Sequence, residues 1–344
     1  MRYVGLDLHA KQSTLAILDP GDPARTAEGT RPRMEVGTVK GSLKRVLEAV
    51  ARIKGPFEIC FEASNGYGVV YDELAKVARR VVVAHPGHLR LIYRSKDKHD
   101  RGDAKKLAKL LYAGLVPEVW VPRREVRRWR HLIVHRHRLV AERTRAKNAA
   151  RALLRSLAVE APKRLWTKRN LRWLEAVAFE DPCDALIRDE LVARIRYLDG
   201  AIRQAEKRLD AIASEHPGVA LVRTIPGVGP RTAEALVAWI DDPRRFSHSK
   251  AIGKYFGLVP CEDSSGGRTR QGHITKAGPA LVRRVLNQAA WRARALSPRV
   301  CAFFERVRGG DRDRGKIAIV ATMHYVARAA LAMLRTGEAW REES

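Results

Sequence analysis

The first twenty residues, MRYVGLDLHAKQSTLAILDP (residues 1–20), decide how the N-terminal part of the chain folds. Residues 2–10 and 13–20 are two short runs rich in apolar and β-branched side chains, and a tight polar link joins them. This pattern predicts a β-hairpin. Asp7 lies inside the first run, where an acid is costly unless it is paired or binds a metal. The other interpretation is that Asp7 simply ends the strand.

Beyond the hairpin, the sequence alternates between strand patterns and helix patterns. RMEVGTV (residues 33–39) predicts a third strand, and FEICFEAS and RRVVVAH predict two more. Apolar residues at helical spacing lie between these strands, and a last helix is predicted from Asp100. Strand pairs followed by strand–helix alternation predict a mixed α/β sheet of ribonuclease H type. We assign residues 1–118 to this domain.

Three further acids lie at positions where a carboxylate can either be an ordinary solvated side chain or bind a metal. Glu62 ends the apolar run FEICFE, and Asp100 and Asp103 begin a predicted helix on one face. Taken singly, each is expected in an ordinary protein, since acids in a first helical turn are favoured by the helix dipole. Together with Asp7 they can converge at one sheet edge, where they would repel each other unless Mg²⁺ or Mn²⁺ were bound. Such a cluster indicates metal-assisted phosphodiester chemistry.

The middle of the chain, residues 119–215, is predicted to be a long helical arm. Residues 124–157 contain many arginines and few acids, so one helix face is either solvated or a nucleic-acid track, and the net charge favours the track. A second helix has apolar residues at alternating spacings of four and three: Leu191, Ile195, Leu198, Ile202, Ala205, Leu209 and Ile212. This heptad seam predicts either a helical hairpin within the chain or a coiled coil for self-association.

The last part, residues 216–344, is predicted to be mainly α-helical. Gly227 and Gly229 lie between two apolar helical segments and resemble the turn of a helix-hairpin-helix, whose backbone N–H groups can bind a phosphate. A plain packing corner is the other interpretation of this turn. Further helices are predicted at about 278–296, 299–308 and 315–335, and we expect the last to be a core helix rather than a membrane span.

Composition points to a polyanionic partner. The chain has 344 residues and a formal net charge of +28, from 66 Lys and Arg against 38 Asp and Glu. The four cysteines are widely spaced and form no CxxC pair, so neither a zinc site nor a disulfide framework is indicated. We expect a reducing, cytoplasmic location, no membrane association, and no signal peptide before the first strand.

Several motifs in order resemble one known family. GLDLHA, FEASNGYG and KHDRGDAKKLA resemble the acidic motifs of the DEDD transposases of bacterial and archaeal insertion sequences. The N-terminal domain of that family is similar to the RuvC Holliday-junction resolvase. Residues 224–246, 255–290 and 315–334 resemble its C-terminal transposase domain. The resemblance spans nearly the whole chain, and it implies that Asp7, Glu62, Asp100 and Asp103 occupy the four acidic positions.

The same resemblance implies a chemistry and a set of partners. It assigns the nucleophile to Ser265 in the SSGG loop, with Ser264 the lesser candidate, and implies a covalent phosphoserine–DNA intermediate. It also implies donor and target duplex DNA, a structured noncoding guide RNA, assembly into homodimers or homotetramers, and action at the bacterial or archaeal nucleoid. The cations that we expect at nucleic-acid phosphates are Arg268, Arg270, Lys276 and Arg283. His9 and Lys11 stand near a position where many relatives carry a Ser-Lys pair.

Two other functions compete with this one. A RuvC-like junction nuclease would use the same acids with water and would have no covalent step. A nucleic-acid-binding protein without catalysis would leave the four carboxylates incidental, so Asp100→Asn would change no activity.

Overall fold

The computed structural model of the chain describes residues 1–21, 32–92, 100–262 and 271–342, and the side chains of Asp100 and Gln271 lie outside this description. The chain divides into two compact units, Met1–Arg124 and Glu125–Ser344. The boundary that we predicted at residue 118 lies six residues before this division. The second predicted boundary, at residue 215, stays a prediction.

A five-stranded mixed sheet forms the centre of the first unit. Its spatial order is β3-β2-β1-β4-β5. The hairpin β1–β2 and its neighbour β3 are antiparallel, whereas β1, β4 and β5 run parallel. This arrangement confirms the mixed α/β sheet predicted from the sequence and is consistent with a RuvC-like fold. The strands are Arg2–Asp7 (β1), Gln12–Asp19 (β2), Arg33–Lys40 (β3), Phe57–Glu62 (β4) and Arg80–Ala84 (β5).

Four helices accompany this sheet: Leu43–Ala51 (α1), Tyr67–Leu74 (α2), Pro86–Ile92 (α3) and Asp100–Tyr112 (α4). Alternate strand residues face opposite sides of the sheet. On one side, Leu6, Ile59 and Phe61 share a buried core with residues of α1 and α2. On the other side, Cys60 and Val82 are buried against Leu107 and Leu111 of α4, so both faces of the sheet are covered.

The second unit is mainly helical, as predicted. Its helices are Arg124–Ser156 (α5, which begins at the last residue of the first unit), Lys168–Ala176 (α6), Pro182–Ser214 (α7), Pro217–Val222 (α8), Pro230–Ile240 (α9), Ala251–Tyr255 (α10), Ala280–Leu296 (α11), Pro298–Arg308 (α12) and Gly315–Thr336 (α13). A short antiparallel pair of strands, Pro260–Glu262 (β6) and Gln271–Ile274 (β7), interrupts them. Proline at the first position of α7, α8, α9 and α12 suits a helix start, because its missing N–H would have no helical partner there.

The heptad seam of α7 packs against α5 of the same chain. Leu198, Ile202 and Ala205 of α7 share a buried cluster with Leu139 of α5. Ion pairs join Arg136 to Glu206 and Arg143 to Asp199. Seven residues forward along α5 therefore correspond to seven residues back along α7, which is the register of an antiparallel hairpin. The seam matches the helical-hairpin interpretation, and a coiled coil for self-association stays a prediction.

Helix α13 belongs to the largest apolar core of the second unit. Its buried face includes Val326, Ala327, Ala330 and Leu331, and that core also contains residues of α9, α11 and α12. Among the described residues, this one helix is long and apolar enough to cross a membrane by length and composition alone. Half of its apolar window is buried inside the protein, and its buried apolar residues belong to this core.

Candidate active site

Asp7 and Glu62 end two neighbouring parallel strands. Leu6 of β1 is paired with Phe61 of β4, so the next residues, Asp7 and Glu62, lie side by side at the carboxyl ends of these strands. Alternation along each strand places Asp7 on the face of Gly5 and Glu62 on the face of Cys60. Helix α4 covers this face, so both acids lie on the side of the sheet that carries α4.

The contacts between β1 and α4 show where the first turn of that helix lies. The ring of Tyr3, at the start of β1, packs edge-on against Tyr112, at the end of α4, with 5.2 Å between ring centroids. Two residues further along β1, Gly5 faces the backbone of Ala104 and Ala108. Helix α4 therefore runs antiparallel to β1, and its first turn, which carries Asp100 and Asp103, points toward the end of β1 occupied by Asp7.

Basic side chains accompany two of the described acids. The Nζ atom of Lys106 lies 2.9 Å from Oδ1 of Asp103, one helical turn away. The Nε2 atom of His9 lies 3.3 Å from Oδ2 of Asp7, whose side chain is 18% exposed. The turn that carries His9 is held by Ser13, a buried residue whose hydroxyl is 3.3 Å from both the N and the O atoms of His9. Sequence reasoning noted His9 but assigned it no contact with Asp7.

The donor set at this edge suits a hard divalent cation, because carboxylate oxygens are the ligands that Mg²⁺ and Mn²⁺ prefer. Within the described part of the chain, no three His, Cys, Asp or Glu side chains are arranged so that they could hold a metal ion. The side chain of Asp100, the fourth predicted ligand, lies outside that part. The described residues thus bring Asp7, Glu62 and the first turn of α4 to one edge without forming a closed coordination shell. Burial raises the pKa of the nearby Cys60 thiol to about 12, so without a bound metal this thiol stays protonated at neutral pH.

The predicted nucleophile, Ser265, lies outside the described residues, together with Ser264, Arg268 and Arg270. The segment that contains them, residues 263–270, connects β6 to β7. The described base of this hairpin is tightly packed. A Cβ atom on Gly278 would lie 2.1 Å from the carbonyl oxygen of Tyr255, and one on Gly257 would lie 2.5 Å from the amide nitrogen of Ala277.

The two described cations near this hairpin differ in their surroundings. Lys276 is exposed and has a φ of +53°, a conformation that few non-glycine residues adopt. Arg283 is half-buried, and its Nη1 donates to the carbonyl oxygens of Phe256 at 3.1 Å and Gly278 at 2.8 Å. These bonds give Arg283 a structural role at the base of the hairpin, and its contact with nucleic acid stays a prediction.

The predicted phosphate-binding turn joins α8 to α9. Gly227 has a φ of +82°, and a Cβ there would lie 2.4 Å from the amide nitrogen of Ala293 in α11. Gly229 begins α9 without a side-chain cap. A groove of about 460 Å³ beside this turn is lined in part by Arg223, Gln288 and Arg292. Close packing thus explains Gly227, whereas a Cβ atom on Gly229 would meet no other atom within 4 Å, and phosphate binding stays a prediction.

Comparisons with known proteins match both units. An IS110-type DEDD model with the description Transposase matches residues 4–158. A model with the description Transposase IS116/IS110/IS902 family matches residues 219–305. The putative transposase y4qE of Sinorhizobium fredii is 29% identical over 303 residues, which cover 87% of this chain and 73% of that protein. The transposase for insertion sequence element IS1111A of Coxiella burnetii is 27% identical over 235 residues, which cover 67% of this chain and 64% of that protein.

Proposed function

Because the chain belongs to the IS116/IS110/IS902 family of transposases, with an IS110-type DEDD N-terminal region, we propose that it cuts and rejoins DNA through a covalent phosphoserine intermediate. The observation that supports the catalytic part best is the meeting of Asp7 and Glu62 at adjacent strand ends on the face covered by α4. The first turn of α4 adds Asp100 and Asp103 at the same end of the sheet.

Each acid has a defined part in this proposal. Asp7 and Glu62 from the sheet, with Asp100 and Asp103 from the helix, hold a divalent cation, Mg²⁺ or Mn²⁺. When bound, that cation neutralises the carboxylates and stabilises the charge that develops on the phosphodiester. Lys106 contacts Asp103 and limits the repulsion among the acids, and His9 contacts Asp7.

The serine carries the covalent step. The Oγ atom of Ser265 attacks phosphorus, the bond from phosphorus to the leaving sugar oxygen breaks, and the proton of the hydroxyl passes to that oxygen. The phosphoserine ester is then attacked by a sugar hydroxyl of the second DNA, which rejoins the strand and frees the serine. Arg268, Arg270, Lys276 and Arg283 are the cations that we expect at the phosphates.

The wider assembly follows from the same family membership. Donor and target duplexes are chosen by a noncoding guide RNA, and the protein acts as a homodimer or homotetramer in the cytoplasm, at the bacterial or archaeal nucleoid. A net charge of +28 supports the binding of several nucleic-acid strands at once. RNA that copurifies with the protein tests the guide. Loops complementary to the DNA flanking the gene support it, whereas a mixture of cellular RNAs contradicts it.

The catalytic proposal is tested with Ser265→Ala, matched by Ser264→Ala, and with Asp7→Asn. In an assay with labelled duplexes, copurified RNA and Mg²⁺, we expect Ser265→Ala to lose both the protein–DNA adduct and the joined product by a factor of roughly 10³ or more. Ser264→Ala should keep both. Asp7→Asn should lose both while the far-ultraviolet circular dichroism stays unchanged. A Ser265→Ala protein that still cuts and rejoins removes the serine step, and cutting without any adduct in the wild type favours a junction nuclease that uses water.

A further inference from the structure

The far end of the α5–α7 hairpin forms a small structure with its own core. We call this region the arm tip and define it as residues 143–172, from the second half of α5 through the start of α6. Leu154 and Leu165 of the arm tip share a buried cluster with Leu174 of α6 and Val192 of α7, and Trp166 and Trp173 pack against it. The arm tip therefore packs on an apolar cluster and is not a frayed helix end.

The arm tip is strongly basic. Its thirty residues contain one acid, Glu160, and ten Lys and Arg residues. Among the described residues, only one of these ten, Arg143, is ion-paired to a carboxylate. The remaining nine are Arg145, Lys147, Arg151, Arg155, Lys163, Arg164, Lys168, Arg169 and Arg172. All of these except Lys147 are exposed.

The charge is segregated rather than spread evenly. The neighbouring stretch, residues 180–190 at the start of α7, holds five acids and one basic residue, Arg188, which is ion-paired to Asp189. Solubility would be served by interspersed charges, so a nearly acid-free segment followed by an acidic one in the sequence indicates a specific anionic partner.

Two cations are ordered on an aromatic ring in this region. The Nζ atom of Lys147 and the guanidinium carbon of Arg151 each lie 5.2 Å from the centre of the Trp166 ring. Burial, with Arg143 next to it, lowers the pKa of Lys147, as expected for a cation with too few anions around it. Beside this stack, Arg151, Arg155 and Lys163 line a groove of about 600 Å³. A second groove, of about 400 Å³, is lined in part by Lys168, Arg172 and Arg203.

We propose that the arm tip binds the phosphate backbone of duplex DNA, independently of base sequence. Because Lys147 and Arg151 lie over the Trp166 ring, this ring orders basic side chains rather than stacking on bases. This arrangement favours contact with the phosphate backbone over recognition of single strands. The choice of DNA rests on the proposed function, because a recombinase must hold the duplexes beyond the bonds that it cuts. In this role, the arm tip contributes affinity but no sequence choice.

The experiment removes three exposed charges that, within the described part of the chain, stack on no ring. The full-length triple variant Arg155→Gln, Lys163→Gln, Arg169→Gln is compared with the wild type in its affinity for a random-sequence 30-base-pair duplex across a salt series. Each lost phosphate contact should lower the slope of log Kd against log salt by about 0.9. The slope for the triple variant should therefore be smaller by about 2–3, so its loss of affinity relative to the wild type should be about 10²- to 10³-fold larger at 0.1 M salt than at 1 M salt. The matched control removes three charges from the first unit, as Lys44→Gln, Arg52→Gln and Lys54→Gln, and should change the slope little.

Other results overturn the proposal. If both triple variants lose the same amount of slope, DNA binding depends on the overall charge of the protein and not on the arm tip. Weaker binding of a stem-loop RNA with unchanged DNA binding assigns the arm tip to RNA. Unchanged DNA binding with an altered oligomeric state means that the basic face meets the acidic start of α7 in a second copy. If the triple variant unfolds, Arg155→Gln alone must lower the slope by about 0.9. Because the readout is binding, failure of the Ser265 and Asp7 experiments would leave this result standing.

Discussion

At the scale of single residues, Gly5 sets how close α4 comes to the sheet. A Cβ atom on Gly5 would lie 2.0 Å from the carbonyl oxygen of Ala104 and 2.6 Å from the amide nitrogen of Ala108. These are backbone atoms, so the clash cannot be relieved by a side-chain rotation. The strand therefore carries glycine two residues before Asp7, and this allows the first turn of α4 to approach the acids.

We expect Gly5→Ala to damage both stability and catalysis. Helix α4 must shift to admit the methyl group, which should lower the free energy of unfolding by about 1–3 kcal/mol or more. The same shift moves Asp100 and Asp103 away from Asp7, so DNA joining should fall much further than the loss of folded protein explains. Urea unfolding and the joining assay measure the two effects.

Gly37→Ala is the matched control for Gly5→Ala. Gly37 also lies in a strand, β3, but a Cβ atom added there would meet no other atom within 4 Å, and its φ is not positive. Alanine there should be neutral or stabilise by a few tenths of a kcal/mol. If both alanines proved equally harmless, the close approach of α4 would not be what positions the acids.

At the scale of helices, ionisable groups that are wholly or partly buried interact among α5, α7 and α9. Glu234 of α9 is fully buried, and within the described part of the chain neither of its carboxylate oxygens accepts a hydrogen bond of good geometry, although Nη2 of Arg231 lies 3.1 Å from its Oε1. Burial raises its pKa to about 7, although Arg231 opposes this. Burial, with Arg136, Arg284 and Arg231 nearby, lowers the pKa of His137 in α5 to about 4. Asp210 and Glu206 of α7 also act on Glu234.

These two groups should give opposite dependences of stability on pH. Glu234 titrates near 4.5 when unfolded and near 7 when folded, so its stabilising contribution is full below pH 4.5 and is lost as pH rises to 7. His137 titrates near 6.5 when unfolded and near 4 when folded, so its contribution is full above pH 6.5 and is lost as pH falls to 4. Each effect is on the order of 3 kcal/mol, and between pH 4.5 and 6.5 they largely cancel.

Single variants should reveal each slope. The free energy of unfolding of Glu234→Gln should rise between pH 4.5 and 6.5, because only the histidine effect remains. That of His137→Gln should fall over the same range, because only the carboxylate effect remains. Urea unfolding at pH 4.5, 5.5 and 6.5 measures both slopes. Slopes of the same sign in the two variants would contradict the opposite titrations.

At this scale, the sequence predicted individual strands and helices better than it predicted which elements pack together. The strands of the first unit and the helices α5, α7, α11, α12 and α13 were predictable, because their period, caps and prolines are local. The seam of α7 did not reveal that its partner is α5, because a heptad pattern fits any apolar helix. The pairing of His9 with Asp7 and the approach of both His137 and Glu234 to Arg136 and Arg231 were not predictable either. Both depend on three-dimensional proximity, and the second joins residues far apart in the chain.

The candidate site was predictable only as a set of acids. Asp7 and Glu62 stand out because carboxylates at the ends of apolar strands need a reason, and the parallel pairing of β1 with β4 brings them together. Nothing in the sequence indicates that Gly5 has to admit the backbone of α4, since a glycine in a strand has several explanations. The roles of Asp100 and Ser265 still rest on family resemblance.

At the scale of the whole molecule, the apolar clusters found among the described residues of the first unit consist of residues of that unit. The furthest along the chain to join them is Val121. One face of its sheet is covered by α1 and α2, and the other by α4. A unit with its own core should fold without the rest of the chain.

We therefore expect the fragment 1–124 to fold alone, and the fragment 1–92 to fail. The shorter fragment lacks α4, so Tyr3, Cys60, Val82 and Ala84 lose their apolar cover and one sheet face becomes exposed to water. Cooperative urea unfolding and dispersed amide resonances in the longer fragment, and neither in the shorter, are the expected results. An unfolded 1–124 fragment would mean that the sheet depends on the helical unit. A stable 1–92 fragment would mean that α4 only carries acids to the sheet, and the consequence of Gly5→Ala would then be confined to catalysis.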